Sequence, residues 1–262
     1  MANIAYRTDE LVRFYASNRV RWDQFYESER VILGQVARRF GPPRTVLDAG
    51  CAIGGLGLAL QEQFGSLETY TGVDINSQVI KHAERQARSW QQFHCADVAT
   101  ANLPQDAFQW VVSFGCADWN LEPVATVRSL WERVAPDGLL ILSLRLTDLP
   151  GVCDLKISYQ RIVFLGSDDG AEIAPYVVFN VADAIGLLAS LGPDLILGYG
   201  YWGPPSKTAV TPYERLAFTV FAVHKSVPMA TELSVPRIEL TVPADLFAGL
   251  RPGDMTRVSG RT

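Results

Sequence analysis

The sequence is poor in the features that mark several common classes of protein. It has only four cysteines, and none of them forms a C-x-x-C pair. This usage is typical of a reduced, cytoplasmic protein and argues against a disulfide-stabilised secreted domain. No apolar stretch approaches the length of a bilayer span, and the N-terminal residues lack the apolar core of a secretory signal. We therefore expect a cytoplasmic protein without a membrane partner.

Positive charge is also scarce. The 23 Lys and Arg residues are outnumbered by 28 Asp and Glu residues, which gives a formal net charge of −5. A nucleic-acid-binding surface needs clustered Lys and Arg to neutralise phosphates. We therefore expect no nucleic-acid partner.

Short apolar strands alternate with helical segments through the middle of the chain. Strands are predicted at 45–48, 69–74, 91–95, 110–114 and 139–144, with helices between them. Such alternation predicts a doubly wound, mostly parallel α/β sheet with right-handed crossovers. Two later strands, at 194–201 and 215–224, have no helix between them and should pair antiparallel.

The regions outside this pattern divide the chain further. We predict an N-terminal helical cap over residues 1–40, a sheet domain over 41–225 and a C-terminal extension over 226–262. Within the domain, an insertion at 147–180 is rich in aromatic and turn residues and is predicted to form a lid or wall over a ligand. In the extension, alternating apolar residues at 238, 240 and 242 are compatible with an edge strand.

The most informative run lies at residues 46–60. An apolar strand ends in Asp48, a tight turn runs from Gly50 to Gly55, and an apolar helix follows. Glycine permits positive φ and close approach of a ligand, and the helix start presents free N–H groups. A dinucleotide site would have a glycine at the place of Ala52. A carboxylate at Asp48 would repel pyrophosphate, but it can accept hydrogen bonds from an ammonium group.

Two further acids end the neighbouring strands. Asp74 closes the second strand, where a carboxylate can accept both ribose hydroxyls of a nucleoside or can cap the next helix. Asp97 follows the third strand. Three acids at three successive strand ends are a stronger indication of a nucleoside site than any one of them.

The spacing Asp48-x-Gly50-x-x-x-Gly54 resembles motif I of the class I S-adenosylmethionine-dependent methyltransferases, and the resemblance extends over about residues 45–225. It implies a seven-stranded Rossmann-like sheet of order 3-2-1-4-5-7-6 with one antiparallel strand. It also implies S-adenosyl-L-methionine as cofactor, with the three acids at its ammonium, ribose and adenine in chain order. The residues expected to hold the cofactor are Asp48, Gly50, Cys51, Ala52, Gly54, Asp74, Ile75, Asp97, Val98, Phe114 and Gly115.

The loop after the fourth strand should, by the same resemblance, lie beside the methyl group to be transferred. Here Asp118 and Asn120 are predicted to orient an acceptor, and Asp118 is also a candidate to take its proton. Arg145, at the end of the fifth strand, is a candidate to bind a substrate carboxylate or phosphate, or to pair with Asp148. These three residues are the expected catalytic set. No metal is expected, because the cysteines are interpreted as small residues in tight loops.

The resemblance therefore implies methyl transfer to an O, N or C atom of a small organic acceptor. Two alternatives stay open at this stage. One is a non-catalytic protein or scaffold that binds S-adenosylmethionine, and the other is a nicotinamide-dependent oxidoreductase, which Asp48 and Ala52 disfavour. A homodimer is compatible with the sequence, and the acceptor is not identified by it.

Overall fold

The computed structural model describes residues 10–162, 172–227 and 235–248. The helices and strands follow one another as α1 (Glu10–Ser17), α2 (Glu27–Phe40), β1 (Thr45–Ala49), α3 (Gly55–Phe64), β2 (Thr69–Asp74), α4 (Ser77–Gln86), β3 (Gln91–Cys95), β4 (Phe108–Ser113), α5 (Pro123–Trp131), β5 (Val134–Thr147), β6 (Tyr159–Ile162), β7 (Glu172–Pro175), β8 (Phe179–Asn180), α6 (Val181–Ser190), β9 (Leu195–Gly203), β10 (Ala209–Val210), β11 (Leu216–Lys225) and β12 (Arg237–Thr241).

The main sheet has the order β3-β2-β1-β4-β5-β11-β9-β12. Strands β1 to β5 are parallel, whereas β11 is antiparallel to both β5 and β9. This confirms the predicted order 3-2-1-4-5-7-6, with β9 and β11 as its last two strands. The extension adds the edge strand β12, in which the alternating Ile238 and Leu240 are buried. None of the described helices is long and apolar enough to cross a membrane.

Burial on both faces of the sheet explains why the central strands are continuous apolar runs in the sequence. Both faces of the sheet are covered, so residues pointing either way are buried. Val127 and Leu130 of α5 and Leu188 of α6 pack against one face. Ile32 of α2 and Leu60 of α3 pack against the other. The polar ends of the parallel strands therefore remain the natural place for a site.

The N-terminal region is less continuous than predicted. Helix α1 ends at Ser17, Arg19 adopts a left-handed φ of 61°, and a short 3-10 helix at Trp22–Gln24 precedes α2. The backbone of Arg19 passes so close to Gly55 that a Cβ there would collide with it. Packing across the start of α3 thus divides the N-terminal helical cap, predicted over 1–40, into separate helices. Residues before Glu10 lie outside the described part.

The insertion contains strands that the sequence did not predict. Strand β6 pairs antiparallel with β7 and with β10, forming a second sheet of three strands. Pairing with β10, about fifty residues further on, is not visible in local sequence. The fifth strand also begins earlier than predicted, at Val134. Residues 136–138 form a tight bend within the strand, at which Asp137 has a φ of 61°, and the strand continues beyond it.

Candidate functional site

A cavity of about 800 Å³ lies at the edge where the parallel strands end. Its floor is formed by the turn after β1 and by the residues that follow β2, β3 and β4. The remaining walls come from α1, α2, the insertion, the end of β5, and β9 and β11 with the loop between them. The volume falls within the range of small-molecule sites, which is roughly 300–1,000 Å³.

The turn after β1 is fixed by three left-handed residues. Gly50, Ala52 and Gly54 have φ values of 77°, 47° and 81°. A side chain on Gly50 would collide with Cys116. Ala52 holds a conformation that costs a non-glycine residue about 1 kcal/mol or more. Its N–H donates to Asp74 Oδ2 at 2.9 Å, which holds the turn in place.

Asp74 receives backbone donors on both oxygens. Besides the Ala52 N–H, its Oδ1 accepts the Asn76 N–H at 2.8 Å. Burial raises the pKa of Asp74, and these backbone donors oppose the rise. Asn76, rather than Asp74, caps α4, because its Oδ1 accepts the N–H groups of Gln78 and Val79. Each Asp74 oxygen keeps acceptor capacity on the cavity side.

Asp97 occupies the matching place after β3. Its Oδ1 accepts the Ala99 N–H at 3.0 Å, so the loop is braced by its own backbone. Asp97 and Val98 both line the cavity.

Asp48 is placed differently from the other two acids. Its side chain is buried, and Oδ2 accepts the Tyr70 O–H at 2.5 Å. Burial raises the pKa of Asp48 to about 7, although the Tyr70 hydroxyl opposes the rise. The carboxylate thus faces Tyr70 and is not part of the cavity lining. Direct contact between the Asp48 carboxylate and an ammonium group of a ligand stays a prediction. In this structure the carboxylate faces Tyr70 instead of the cavity.

The other expected cofactor residues divide in the same way. Cys51 and Gly54 shape the turn without lining the cavity: Cys51 is buried, and a Cβ on Gly54 would collide with the Phe93 ring. The expected residues that do line it are Gly50, Ala52, Asp74, Ile75, Asp97, Val98, Phe114 and Gly115.

An ion pair from the N-terminal cap also lines the cavity. The Arg19 guanidinium binds Glu29 through two hydrogen bonds, of 3.1 and 2.9 Å, and lies 4.5 Å from the Phe25 ring centre. Glu29 also accepts the Tyr26 N–H at 2.8 Å. Tyr15 lines the same wall, and burial raises its pKa. Arg19 and Tyr15 lie within the predicted N-terminal cap. Glu29 was missed, although an acid three residues after a helix N-cap is a recognised signal.

The loop after β4 carries a buried ion pair. Arg145 Nε donates to Asp118 Oδ2 at 2.7 Å, and its Nη2 donates to the Asp118 carbonyl at 3.1 Å. Both residues are only 3% exposed. The partner of Arg145 is thus Asp118 and not Asp148. Arg145 also lies 3.8 Å from the Tyr176 ring centre and 5.1 Å from that of Trp119.

The three expected catalytic residues all line the cavity. Asn120 Oδ1 accepts the Glu122 N–H at 2.9 Å, which leaves its amide nitrogen as the remaining polar group. Nearby, the Gly115 N–H donates to Ser143 Oγ at 2.8 Å and connects this loop to β5. Within the described residues, no cluster of His, Cys, Asp and Glu is suited to a metal ion.

The insertion supplies a wall of the cavity through Gln160, Ile162 and Tyr176. It is fastened to the loop after β4, because the Val177 N–H donates to the Asp118 carbonyl at 3.0 Å. Sequence reasoning missed Tyr176, which is one aromatic residue among many in this segment and carries no distinguishing spacing. Residues 163–171 of the expected lid lie outside the described part.

Comparison with known proteins agrees with this geometry. Residues 46–138 match the family model of a methyltransferase domain, which covers β1 to the start of the apolar part of β5. No curated protein sequence matches the chain significantly.

Solved structures share the fold at low sequence identity. A protein of Listeria monocytogenes assigned as an S-adenosylmethionine-dependent methyltransferase is 18% identical, with a TM-score of 0.51 over 76% of this chain and 99% of that one. A sugar N-methyltransferase from Streptoalloteichus sp. is 15% identical, with a TM-score of 0.54 over 87% and 96%. A phosphoethanolamine N-methyltransferase of Haemonchus contortus, in complex with S-adenosylhomocysteine, is 14% identical, with a TM-score of 0.52 over 77% and 54%.

The strand order is that of a Rossmann-like domain with a cavity at the ends of its parallel strands. Within it, residues 46–138 match a methyltransferase domain, and solved methyltransferase structures share the fold. Its subfamily is not resolved by these matches.

Proposed function

We propose that the protein transfers a methyl group from S-adenosylmethionine to a small organic acceptor held in the same cavity. The observation that carries this proposal is the continuity of the cavity, which extends from Asp74 and Asp97 to the Asp118–Arg145 pair. Its volume of about 800 Å³ suits a nucleoside-sized donor together with a small acceptor.

The residues present fit the cofactor. Asp74 keeps acceptor capacity for ribose hydroxyls, and Asp97 with the Val98 N–H offers an acceptor and a donor for adenine. Two carboxylates in this wall would repel a pyrophosphate, which disfavours the nicotinamide alternative. On the cap side, Arg19 and Glu29 offer charges of both signs for the amino-acid end of the cofactor.

The cofactor, when bound, supplies an activated methyl group on a sulfonium. The chain therefore has mainly to align the acceptor and exclude water, and such positioning is worth roughly 7–11 kcal/mol in favourable cases. Asp118 and Asn120 orient the acceptor beside the loop after β4. Tyr176, Gln160 and Ile162 of the insertion close that side of the cavity.

Asp118 has a second candidate role as the group that takes the acceptor's proton. Its Oδ2 is engaged by Arg145, so this role would fall to Oδ1. Replacement by Asn keeps the shape but removes the base, and would lower turnover by about 10²–10⁴-fold in that case. A purely orienting role would instead raise KM more than it lowers kcat.

The proposal is tested in two steps. Calorimetric titration with S-adenosylhomocysteine and, separately, with NAD should give binding of the first only. Incubation with methyl-labelled cofactor and a panel of small metabolites, followed by mass spectrometry, should give a labelled product. Binding without any transfer across a broad panel would favour the non-catalytic alternative.

A further inference from the structure

The Asp118–Arg145 pair leaves one hydrogen-bonding atom on each partner unused. Asp118 Oδ1 and Arg145 Nη1 are buried, and neither has a hydrogen-bond partner among the described residues. A buried polar atom without a partner is costly, typically about 1–3 kcal/mol. Both residues line the cavity on its acceptor side. Neither atom is exposed to the cavity as the side chains stand, so an acceptor supplies the missing partners once a small rotation of these side chains turns the atoms towards it.

The charge of this wall limits what that partner can be. Arg145 and Asp118 neutralise each other through a hydrogen bond of 2.7 Å, and each side chain is only 4% exposed. An anion beside Arg145 would also meet the Asp118 carboxylate, and a cation beside Asp118 would also meet the guanidinium. Burying a further charge here carries a desolvation cost without a net opposite charge to offset it. The carboxylate or phosphate that the lone Arg145 suggested in the sequence is therefore disfavoured.

The surroundings of the pair are flat and aromatic. Trp119 and Tyr176 both lie against the guanidinium, and Phe114 and Phe218 line the cavity as well. Aromatic walls of this kind favour a planar or apolar body next to a polar group.

We propose that the acceptor presents an uncharged group, a carboxamide or a hydroxyl, to Asp118 Oδ1 and Arg145 Nη1, with an apolar ring or chain against the aromatic wall. Either group contributes both a donor and an acceptor, which match the unused oxygen and the unused N–H. This inference rests on the proposed function, since it names the class of acceptor for the same cavity.

A matched set of benzene derivatives tests the inference. The probes are benzamide, benzyl alcohol, benzoate, benzylammonium and the zwitterion phenylglycine, titrated by ligand-observed NMR with and without saturating S-adenosylhomocysteine. Benzamide or benzyl alcohol should bind at least about 10-fold more tightly than every charged probe, and which of the two is tighter identifies carboxamide or hydroxyl. Tightest binding of benzoate, benzylammonium or phenylglycine, equal binding of all five, or no binding of any would overturn the inference.

Two variants sharpen the test. Asp118→Asn leaves the Arg145 charge unmatched and should switch the preference to benzoate, whereas Arg145→Gln should switch it to benzylammonium. Arg39→Gln, outside the cavity, is the matched control and should keep the order of the native protein. An unchanged order in Asp118→Asn contradicts the inference. If a variant does not fold, the order measured on the native protein still decides.

The two proposals fail separately. Loss of S-adenosylhomocysteine binding in the native protein would remove the proposed function, whatever the probes do. Normal binding of S-adenosylhomocysteine with a preference for charged probes would remove only this inference.

Discussion

The two sides of the cavity are built in different ways. On the proposed donor side, Asp74 and Asp97 are held by backbone N–H groups alone, from Asn76 and Ala99 two residues further along and from Ala52 in the turn after β1. On the proposed acceptor side, Asp118 is held by the charged side chain of Arg145, 27 residues away, and its carbonyl accepts from the backbone of the insertion. The donor side thus depends on the backbone of strand-end turns, whereas the acceptor side depends on a pair of side chains that only the fold brings together.

This difference separates binding from stability. An acid that accepts only backbone N–H groups can be removed at the expense of a ligand contact and of those few hydrogen bonds. An acid that neutralises a buried guanidinium cannot be removed without leaving a charge uncompensated in the core. Substitutions on the two sides should therefore appear in different measurements.

The largest effect is expected on the acceptor side. Asp118→Ala leaves Arg145 buried and unpaired, and should lower the free energy of unfolding by about 3–5 kcal/mol in urea titration. The control is Glu239→Ala, which breaks partly exposed pairs with Arg39 and Arg237 and should cost only ~0–1 kcal/mol. Equal losses of unfolding free energy in the two variants would show that the buried pair stabilises the fold no more than an exposed pair does.

Asp48 is the exception on the proposed donor side, because its carboxylate accepts a hydrogen bond from a side chain, the Tyr70 hydroxyl. Because the pKa of Asp48 is raised from 3.8 to about 7, the folded state holds its proton more tightly than the unfolded chain does. The resulting stabilisation is complete below the unfolded pKa and is lost as pH rises towards 7. Between about pH 5 and pH 8, the native protein should lose about 2–3 kcal/mol relative to Asp48→Asn. Parallel stability curves for the two proteins would contradict the burial of a protonated Asp48.

Asp74→Ala removes the acceptor of the Ala52 and Asn76 N–H groups and should lower the free energy of unfolding by about 1–2 kcal/mol. It should also weaken S-adenosylhomocysteine binding by about 1.5–3 kcal/mol, the scale of hydrogen bonds to a charged group. Calorimetry measures the affinity, and unfolding in urea measures stability. Asp183→Ala, near the start of α6 and outside the cavity lining, is the control and should bind normally. Unchanged affinity in Asp74→Ala would remove the ribose assignment.

The smallest effect concerns Ala52. Ala52→Gly relieves a left-handed residue at a φ of 47°, and the greater freedom of the unfolded chain offsets part of the gain. We expect stabilisation by about 0.5 kcal/mol, seen as a small rise in Tm, with cofactor affinity unchanged. A loss of stability would mean that the alanine methyl group makes a packing contribution larger than its backbone strain.

The same contrast explains how much the sequence could predict. The turn after β1 and the strand-end places of Asp74 and Asp97 followed from short-range spacing, because parallel strands bring their ends to one edge. The strand order followed only from the resemblance to the methyltransferase family. Pairing of Arg145 with Asp118 did not follow, since it depends on how the loop after β4 folds back on β5. Nor did the break at Arg19, which depends on the close passage of Gly55.

Spacing also could not distinguish a carboxylate that faces the cavity from one that faces inward. Asp48 and Asp74 both end apolar strands, yet the Tyr70 hydroxyl, on the strand next to β1, donates a hydrogen bond only to Asp48. The difference arises from a cross-strand tyrosine that no strand-end motif includes.

The insertion leaves the sheet and returns to it at almost the same point. Leu146 and Thr147, at the end of β5, pair with Phe179 and Asn180 of β8, and Val152 pairs with Val178 just beyond them. The segment between carries β6 and β7 and starts and ends at points that are already joined, so lengthening its connections costs little, only ~0.6 kcal/mol for each doubling. The wall that the insertion gives to the cavity can therefore be enlarged without shifting the register of the main sheet.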